Sequence, residues 1–179
     1  MTTNTLSGAP ILVIGAGIMG AGIAQVAAQA GHPVWLHDAR PGAAAEAKTK
    51  LGATLTGLVA KGRMDAIAAE QTLGRLVATT TLEEARGARV VVEAIVENLD
   101  AKRGLVKQLE ALVAADAILA TNTSSISVTA IANGMQHPGR LVGMHFFNPV
   151  PLMKLVEVVS GLHTDRGVAD AIFELSRAW

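Results

Sequence analysis

Three short polar stretches in this chain carry side chains that can bind or move protons, and each directly follows an apolar run. They are Glu93 to Lys102, Thr121 to Ser125, and Met144 to Pro149. If the apolar runs are parallel strands, their carboxyl ends meet at one edge of a sheet, and ligands bind in the crevice outside that edge. We therefore expect the three stretches to contribute to one shared site.

The third stretch contains His145, and Glu157 follows twelve residues later, beyond a loop with two prolines. A hairpin-like return there would bring the two side chains together. A carboxylate beside a histidine fixes the tautomer of the ring and stabilises the imidazolium that forms on proton uptake. Such a general base is needed when an alcohol loses a hydride and its hydroxyl proton. The alternative is a core histidine with satisfied polar atoms, and a glutamate on the exposed face of an edge strand.

The N-terminal part of the chain has the pattern of a dinucleotide-binding site, and a dinucleotide would accept the hydride. The apolar run Ile11 to Ile14 is followed by a G-x-G-x-x-G motif that opens a helix. In this setting Gly15 makes the tight turn, Gly17 lets the backbone approach a pyrophosphate, and Gly20 lets the helix lie close to the strand. The helix N-terminus then favours the phosphate charge. The predicted cofactor-binding residues of the motif are Gly15, Gly17, Ile18, Met19 and Gly20.

Asp38 follows the second predicted strand, 18 residues after the last glycine of the motif. A carboxylate at this place accepts hydrogen bonds from the adenosine ribose. It would also repel a 2′-phosphate, so the sequence favours NAD over NADP. Arg40 argues the other way, because a nearby arginine can bind a 2′-phosphate.

The composition argues against several other classes of protein. Fifteen basic and fifteen acidic residues cancel, so no nucleic-acid or membrane partner is expected. The chain has no cysteine, which suits a reducing cytoplasm, and we predict a cytoplasmic protein. We find no metal-ligand spacing, no nucleophile-elbow serine and no apolar run long enough to span a membrane. Turn-like surroundings place His32, His137 and His163 at the surface.

Predicted strands alternate with predicted helices, which is typical of right-handed βαβ units. We expect one α/β domain over residues 1–179, a doubly wound Rossmann-type sheet of six parallel strands in the order 3-2-1-4-5-6, with one or two antiparallel strands at the far edge. The predicted strands are Ile11–Ile14, Val34–His37, Leu76–Thr79, Val90–Val92, Ile118–Ala120, Leu141–Met144 and Lys154–Val159. The predicted helices are Ala21–Ala30, Pro41–Lys61, Asp65–Leu73, Leu82–Arg86 (a helix or turn), Ala101–Val113, Ser127–Asn133 and Asp165–Trp179.

Four motifs resemble the NAD-binding domain of the L-3-hydroxyacyl-CoA dehydrogenases, and they occur in that family's order. The motifs are Gly15–Gln25, Val92–Asn98, Thr121–Ser125, and His145–Pro151 with Lys154–Glu157. The resemblance implies oxidation of an (S)-3-hydroxyacyl-CoA by NAD to a 3-oxoacyl-CoA. Within the family, the chain is similar to bacterial 3-hydroxyadipyl-CoA dehydrogenases of phenylacetate breakdown and to 3-hydroxybutyryl-CoA dehydrogenases.

The resemblance also implies roles for individual residues. His145 is expected to be the catalytic base, with Glu157 as its partner. Ser124 is expected to hydrogen-bond the 3-oxygen of the substrate. Asn148 is expected to order the histidine and the nicotinamide side of the site, so Ser124 and Asn148 also count as cofactor-binding residues.

Four more positions match family contacts with cofactor or substrate. Glu97 and Lys102 match positions that contact the cofactor. Lys61 matches a position near the coenzyme A phosphates, and Thr54 a second coenzyme A contact where some members carry serine.

Members of that family continue into a helical domain that supplies much of the acyl pocket and most of the dimer interface. This chain ends at Trp179, roughly where that domain begins. We therefore expect the N-terminal part of a homodimeric enzyme, which binds NAD but turns over poorly by itself. Two alternatives are a crystallin-like dinucleotide-binding protein without turnover and a hydroxyisobutyrate-type 3-hydroxyacid dehydrogenase. The latter enzymes lack the run His145 to Pro149 and use a lysine in a later helix.

Overall fold

A computed structural model describes residues 6–179 and contains one seven-stranded sheet in the order β3-β2-β1-β4-β5-β6-β7. The first six strands are parallel, and β7 runs antiparallel to β6 at the edge. The predicted Rossmann-type fold is therefore confirmed. The strands are β1 (Ile11–Ile14), β2 (Val34–His37), β3 (Leu76–Ala78), β4 (Val90–Glu93), β5 (Ile118–Thr121), β6 (Leu141–Phe146) and β7 (Val156–Val159).

Helices connect the parallel strands, and local sequence signals set where several of them begin. Asp65, Asn98 and Ser127 each cap a helix by accepting a hydrogen bond from the backbone N–H three residues later. The α-helices are α1 (Ile18–Gln29), α2 (Ala43–Ala60), α3 (Ala66–Gly74), α4 (Leu99–Leu112), α5 (Val128–Ala132) and α6 (Arg166–Ala178). Two 3₁₀ helices are Leu82–Ala85 and Pro138–Arg140.

The sheet separates two apolar cores because successive side chains of a strand point to opposite faces. Ile11 and Val13 of β1 pack on one face with α1, α2 and α6. Leu12 and Ile14 pack on the other face with α4 and α5. Burial on both faces explains why β1 and the first three residues of β4 and of β5 are continuous apolar runs instead of alternating ones.

The element ends differ from the sequence expectation at three informative places. Helix α1 begins at Ile18, three residues earlier than predicted, so the helix starts inside the glycine motif. Strand β6 continues to Phe146 because β7 pairs with its last residues. Helix α2 begins at Ala43 instead of Pro41, because Gly42 caps it with a φ of 80°.

The surface assignment of His32 is wrong. Its side chain is buried, and its Nδ1 lies 2.9 Å from the carbonyl oxygen of Ala9. Its ring meets the edge of Trp179 at a centroid distance of 5.6 Å. Both partners come from distant parts of the chain, so the local turn pattern did not reveal them.

Candidate functional site

The first part of the candidate site is a cleft of about 690 Å³ at the carboxyl ends of β1, β2 and β4. Gly15, Gly17 and Asp38 line it, together with Ile95 after β4. Gly15 has a φ of 99°, and a Cβ there would lie 2.5 Å from the carbonyl oxygen of Ala94. A Cβ at Gly17 would meet open space, so here the absence of a side chain leaves room for a ligand to approach the backbone.

The start of α1 supplies hydrogen-bond donors at this cleft. Gly17 is the N-cap, and no side chain of the described residues caps the helix. The first backbone N–H groups of a helix have no partner within it, and together with the helix dipole they favour a phosphate. A Cβ at Gly20 would collide with the carbonyl oxygen of Gly15, so the close approach of helix and strand requires glycine. The cleft therefore fits a dinucleotide pyrophosphate.

Ile18 and Met19, the two predicted cofactor-binding residues between the glycines, lie in the first turn of α1. Ile18 is 79% exposed and Met19 is half-buried. Their backbone N–H groups are among the first of α1, which have no partner within the helix, and the exposed Ile18 directly follows Gly17, which lines the cleft.

The Asp38 carboxylate is held by two backbone donors. Its Oδ2 accepts a hydrogen bond of 2.7 Å from the N–H of Ala16, within the glycine motif. Its Oδ1 accepts one of 2.8 Å from the N–H of Arg40. The side chain of Arg40 pairs with Glu46. Asp38 is thus fixed at the end of β2, where an adenosine ribose binds in this class of fold.

The second part of the site lies on β6 and β7, where His145 and Glu157 are register partners. The Nδ1 of His145 and the Oε2 of Glu157 are 2.9 Å apart. The expected contact between these side chains is therefore present. When Nδ1–H donates to the carboxylate, Nε2 keeps its lone pair and can accept a proton. The two side chains are 18% and 55% exposed, so the pair is open to solvent and substrate.

Neighbouring groups hold the histidine in place. The amide oxygen of Asn122, after β5, accepts a hydrogen bond of 2.8 Å from the N–H of Phe146. The ring of Phe147 lies 4.6 Å from the His145 ring, centroid to centroid. These contacts fix the end of β6 next to the end of β5.

Ser124 shares a cavity of about 290 Å³ with His145 and Glu157. Its backbone N–H donates to Oε1 of Glu97 at 3.0 Å, and its hydroxyl lies 3.4 Å from the same oxygen. The hydroxyl of Thr123 donates to that oxygen at 2.6 Å. One carboxylate thus orders the loop that presents the Ser124 hydroxyl.

Glu97 stays ionised at working pH because its donors outweigh its burial. Burial acts to raise the pKa of Glu97, but the hydrogen bonds from Thr123 and Ser124 and the charge of Lys102 lower this pKa to about 2. A carboxylate that accepts several N–H and O–H bonds loses its proton readily. The loop at the end of β5 therefore contacts a permanent negative charge.

Lys102 lies beneath this carboxylate and not in the cleft. Its ammonium group is 2.6 Å from Oε1 of Glu93 and 3.4 Å from Oε2 of Glu97. The side chains of Lys102 and Glu93 are each 1% exposed. Thr121 donates a further hydrogen bond of 2.7 Å to Glu93. Lys102 is thus buried against two carboxylates, and it is not among the residues that line the cleft of Gly15 and Asp38.

The remaining predicted residues lie outside this cluster. Asn148 is exposed next to a cis peptide bond to Pro149, and within residues 6–179 it forms no hydrogen bond with His145. Thr54 lies in α2 and Lys61 is the residue that caps its end; both are exposed and seven residues apart, so they lie on the same side of the helix. Neither lines the cavity that holds His145.

Glu93 has no role among the sequence predictions, although the polar stretch Glu93 to Lys102 is expected to contribute to the site. The available signal was an acidic residue that ends an otherwise apolar core strand, Val90 to Glu93. Such a buried charge requires a partner. Glu46, which pairs with Arg40, carried no comparable signal.

Two kinds of feature are absent from the part of the chain that the structure describes. No helix there is long and apolar enough to cross a membrane. No group of three or more histidine, aspartate or glutamate side chains among residues 6–179 is arranged to hold a metal ion.

Comparison with known proteins gives a consistent result. A protein family described as "3-hydroxyacyl-CoA dehydrogenase, NAD binding domain" matches residues 10–179. The 3-hydroxyadipyl-CoA dehydrogenase of Escherichia coli K12 is 46% identical over 169 residues, which are 94% of this chain and 36% of that protein. The 3-hydroxybutyryl-CoA dehydrogenase of Clostridioides difficile is 43% identical over 168 residues, which are 94% of this chain and 60% of that protein.

Solved structures show the same similarity. The crystal structure of 3-hydroxybutyryl-CoA dehydrogenase from E. coli K12 matches with a TM-score of 0.93 and 45% identity, covering 96% of this chain and 36% of that one. The (S)-3-hydroxybutyryl-CoA dehydrogenase of Ralstonia eutropha matches with a TM-score of 0.91 and 35% identity, covering 96% of this chain and 61% of that one. The chain thus spans 36% to 61% of the length of these similar proteins.

Proposed function

The chain belongs to the 3-hydroxyacyl-CoA dehydrogenase family as its NAD-binding domain, and from that membership we propose that it serves NAD-dependent oxidation of an (S)-3-hydroxyacyl-CoA to the 3-oxoacyl-CoA. The single observation that carries the proposal is the 2.9 Å contact between His145 and Glu157, in the cavity that Ser124 also lines. Relatives named for 3-hydroxyadipyl-CoA and for 3-hydroxybutyryl-CoA are both similar to the chain, so we state the substrate as the 3-hydroxyacyl-CoA class.

In the proposed reaction His145 is the general base. Its Nε2 takes the proton of the substrate 3-hydroxyl as the C3–O bond becomes a carbonyl. Glu157 holds Nδ1–H and stabilises the imidazolium that results. When bound, NAD supplies the acceptor for the hydride that leaves C3. In the reverse direction His145 returns its proton to the carbonyl oxygen.

Ser124 is proposed to orient the substrate by donating its hydroxyl to the 3-oxygen. In the structure this hydroxyl lies 3.4 Å from Glu97, a distance that marks a weak hydrogen bond. The stronger Thr123 and backbone bonds keep the loop in place while the Ser124 hydroxyl changes partner. Asn148 is proposed to contact the nicotinamide side from its exposed position beyond β6.

The cofactor residues in this proposal are the glycine motif, Asp38, Glu97 and Lys102, together with Ser124 and Asn148. Backbone N–H groups at the start of α1 would hold the pyrophosphate, and the Asp38 carboxylate would accept hydrogen bonds from the adenosine ribose. Thr54 and Lys61 would meet the coenzyme A part of the substrate on the exposed face of α2. A homodimeric full-length enzyme and a cytoplasmic location remain predictions.

We further propose that the 179-residue polypeptide binds NAD but turns over poorly by itself. Glu157 is 55% exposed, so water reaches the pair of His145 and Glu157 and weakens the electrostatic effect of this pair on the substrate. The similar proteins are longer than this chain, and further residues can cover the site. Turnover by this polypeptide as fast as that of the similar 3-hydroxybutyryl-CoA dehydrogenase of Clostridioides difficile would contradict the proposal.

The proposed function is tested by measuring NADH oxidation with acetoacetyl-CoA in the natural protein and in its His145→Gln variant. We expect kcat to fall by about 10²- to 10⁴-fold, because the proton donor and acceptor is lost, while NADH affinity stays nearly unchanged. Glu157→Gln should give a smaller loss, since His145 remains and water can partly replace the exposed carboxylate.

The matched control is His163→Gln, which replaces an exposed histidine outside the site and should leave kcat unchanged. NADH binding without any turnover in the wild-type natural protein would favour the crystallin-like alternative. Full activity in His145→Gln would remove the proposed base.

A further inference from the structure

The turn between β2 and α2 contains an arginine whose side chain is paired with a glutamate of α2. Arg40 is two residues beyond Asp38, the predicted ribose ligand, and an arginine at such a place can bind the 2′-phosphate of NADP. In the structure its NH1 and NH2 groups lie 3.3 and 2.9 Å from the two carboxylate oxygens of Glu46. The guanidinium is thus bound at two atoms by one carboxylate.

The backbone of the turn favours this pairing. The N–H of Arg40 donates to Asp38, and the carbonyl oxygen of Arg40 accepts from the N–H of Ala43, the first residue of α2. Glu46 lies in the first turn of α2, where the helix dipole favours a negative charge. The hydrogen bond and charge of Arg40 lower the pKa of Glu46, and those of Glu46 raise the pKa of Arg40. Both groups are therefore ionised at neutral pH.

We propose that Glu46 is a specificity-determining residue, which binds Arg40 and so prevents it from serving as a ligand for the 2′-phosphate of NADP. NADP then faces two obstacles, because Asp38 repels the phosphate and the nearby cation is already paired. NAD, which has no 2′-phosphate, gains nothing from a free Arg40. This inference rests on the proposed binding of NAD in the cleft.

The expected effect is modest because the pair is exposed, with side chains 62% and 52% accessible. Exposed ion pairs are weak, so breaking this one should tighten NADPH binding by only about two- to fivefold. The gain should shrink as salt is added, since the released guanidinium acts through solvent.

The experiment is calorimetric titration of the chain with NADH and with NADPH, comparing wild type, Glu46→Gln, Arg40→Gln and the double variant. We expect Glu46→Gln to tighten NADPH binding by about two- to fivefold and to leave NADH binding unchanged. Arg40→Gln should change neither NADPH binding nor NADH binding. The double variant should lose the tighter NADPH binding of Glu46→Gln. Glu46→Ala repeats the test without an amide that can still bind Arg40.

Glu70→Gln is the matched control, because it removes an exposed glutamate from α3 and changes the net charge equally. An equal gain in this variant, or equal tightening of NADH, would show a general charge effect and overturn the proposal. Unchanged NADPH affinity in both Glu46 variants, or a gain that persists without Arg40, would also overturn it. These results leave the proposed function intact, whereas wild-type protein that binds no NADH would contradict both.

Discussion

The two halves of the site are built in different ways. The cofactor half, at β1, α1 and β2, relies on backbone: Gly15 and Gly17 provide space, and Asp38 is tied to the N–H of Ala16. The half that we propose to be catalytic (the catalytic half), at β5, β6 and β7, relies on side-chain pairs such as His145 with Glu157. Backbone donors are fixed by the fold, while side-chain pairs depend on charge and on solvent. We therefore expect a mutation in one half to leave the other half intact. Mutations in the cofactor half should change cofactor binding, and mutations in the catalytic half should change turnover.

A buried ion pair joins the two halves. Glu93 ends β4, beside the glycine motif, and its partner Lys102 also contacts Glu97, which orders the Ser124 loop. The backbone N–H of Ile95 and the hydroxyl of Thr121 complete the contacts of Glu93. Damage to this pair should therefore affect both halves at once.

The largest predicted effect is the loss of this connection. Lys102→Met leaves the carboxylate of Glu93 buried without its cation, which typically costs about 3–5 kcal/mol of stability. Urea unfolding of the variant and the wild type would measure the difference. We also expect weaker binding of NADH, because Glu97 loses its support.

The control is the double variant Glu93→Gln with Lys102→Met, which removes both buried charges. It should be more stable than Lys102→Met alone, because no unpaired charge remains. A single variant that unfolds within about 1 kcal/mol of wild type would show that the halves are not held together by this pair.

The cofactor half could be predicted from local sequence, and the reason is physical. Its strand, glycines, helix and acid are contiguous from Ile11 to Asp38, and backbone geometry restricts which residues fit. The meeting of His145 and Glu157 also followed from a short return between neighbouring strands. Strand order and the antiparallel edge strand followed from the alternation of elements.

The connection between the halves could not be predicted in the same way. Lysine is normally exposed, and Lys102 is buried only because Glu93, from the end of another element, supplies its partner. Likewise, His32 is buried by Trp179, almost 150 residues away. Such burial depends on tertiary contacts that no local pattern contains.

A smaller effect is predicted for the cofactor half alone. Asp38→Ala should weaken NAD binding about tenfold, because charge-assisted hydrogen bonds to the ribose are lost. Discrimination against NADP should fall as well, since the repelling carboxylate is gone. Stability should change less than in Lys102→Met, because Asp38 is only partly buried. Calorimetric titration with both cofactors would measure this.

Asp38→Asn is the sharper companion variant, since it keeps an acceptor for the N–H of Ala16 but removes the charge. It should retain more NAD affinity than Asp38→Ala while losing similar discrimination. A wild-type preference for NADP would show that the ribose argument is wrong.

The smallest effect is expected for Glu97, at the inner edge of the catalytic half. Its pKa is lowered from the ordinary 4.5 to about 2, so its ionised form stabilises the folded state. This contribution is complete above the unfolded pKa and is lost as the pH falls from about 4.5 towards 2. The side chain is 38% exposed, which keeps the contribution small.

The variant Glu97→Gln tests this contribution of Glu97 to stability in acid. The free energy of unfolding of the wild type should fall more steeply between about pH 5 and pH 3 than that of the variant. Glu70→Gln, which removes an exposed glutamate outside the site, should retain the wild-type slope. If both variants follow the wild-type slope, the Ser124 loop is not held by an ionised Glu97, and the catalytic half must derive its order from the contact of Asn122 with the N–H of Phe146.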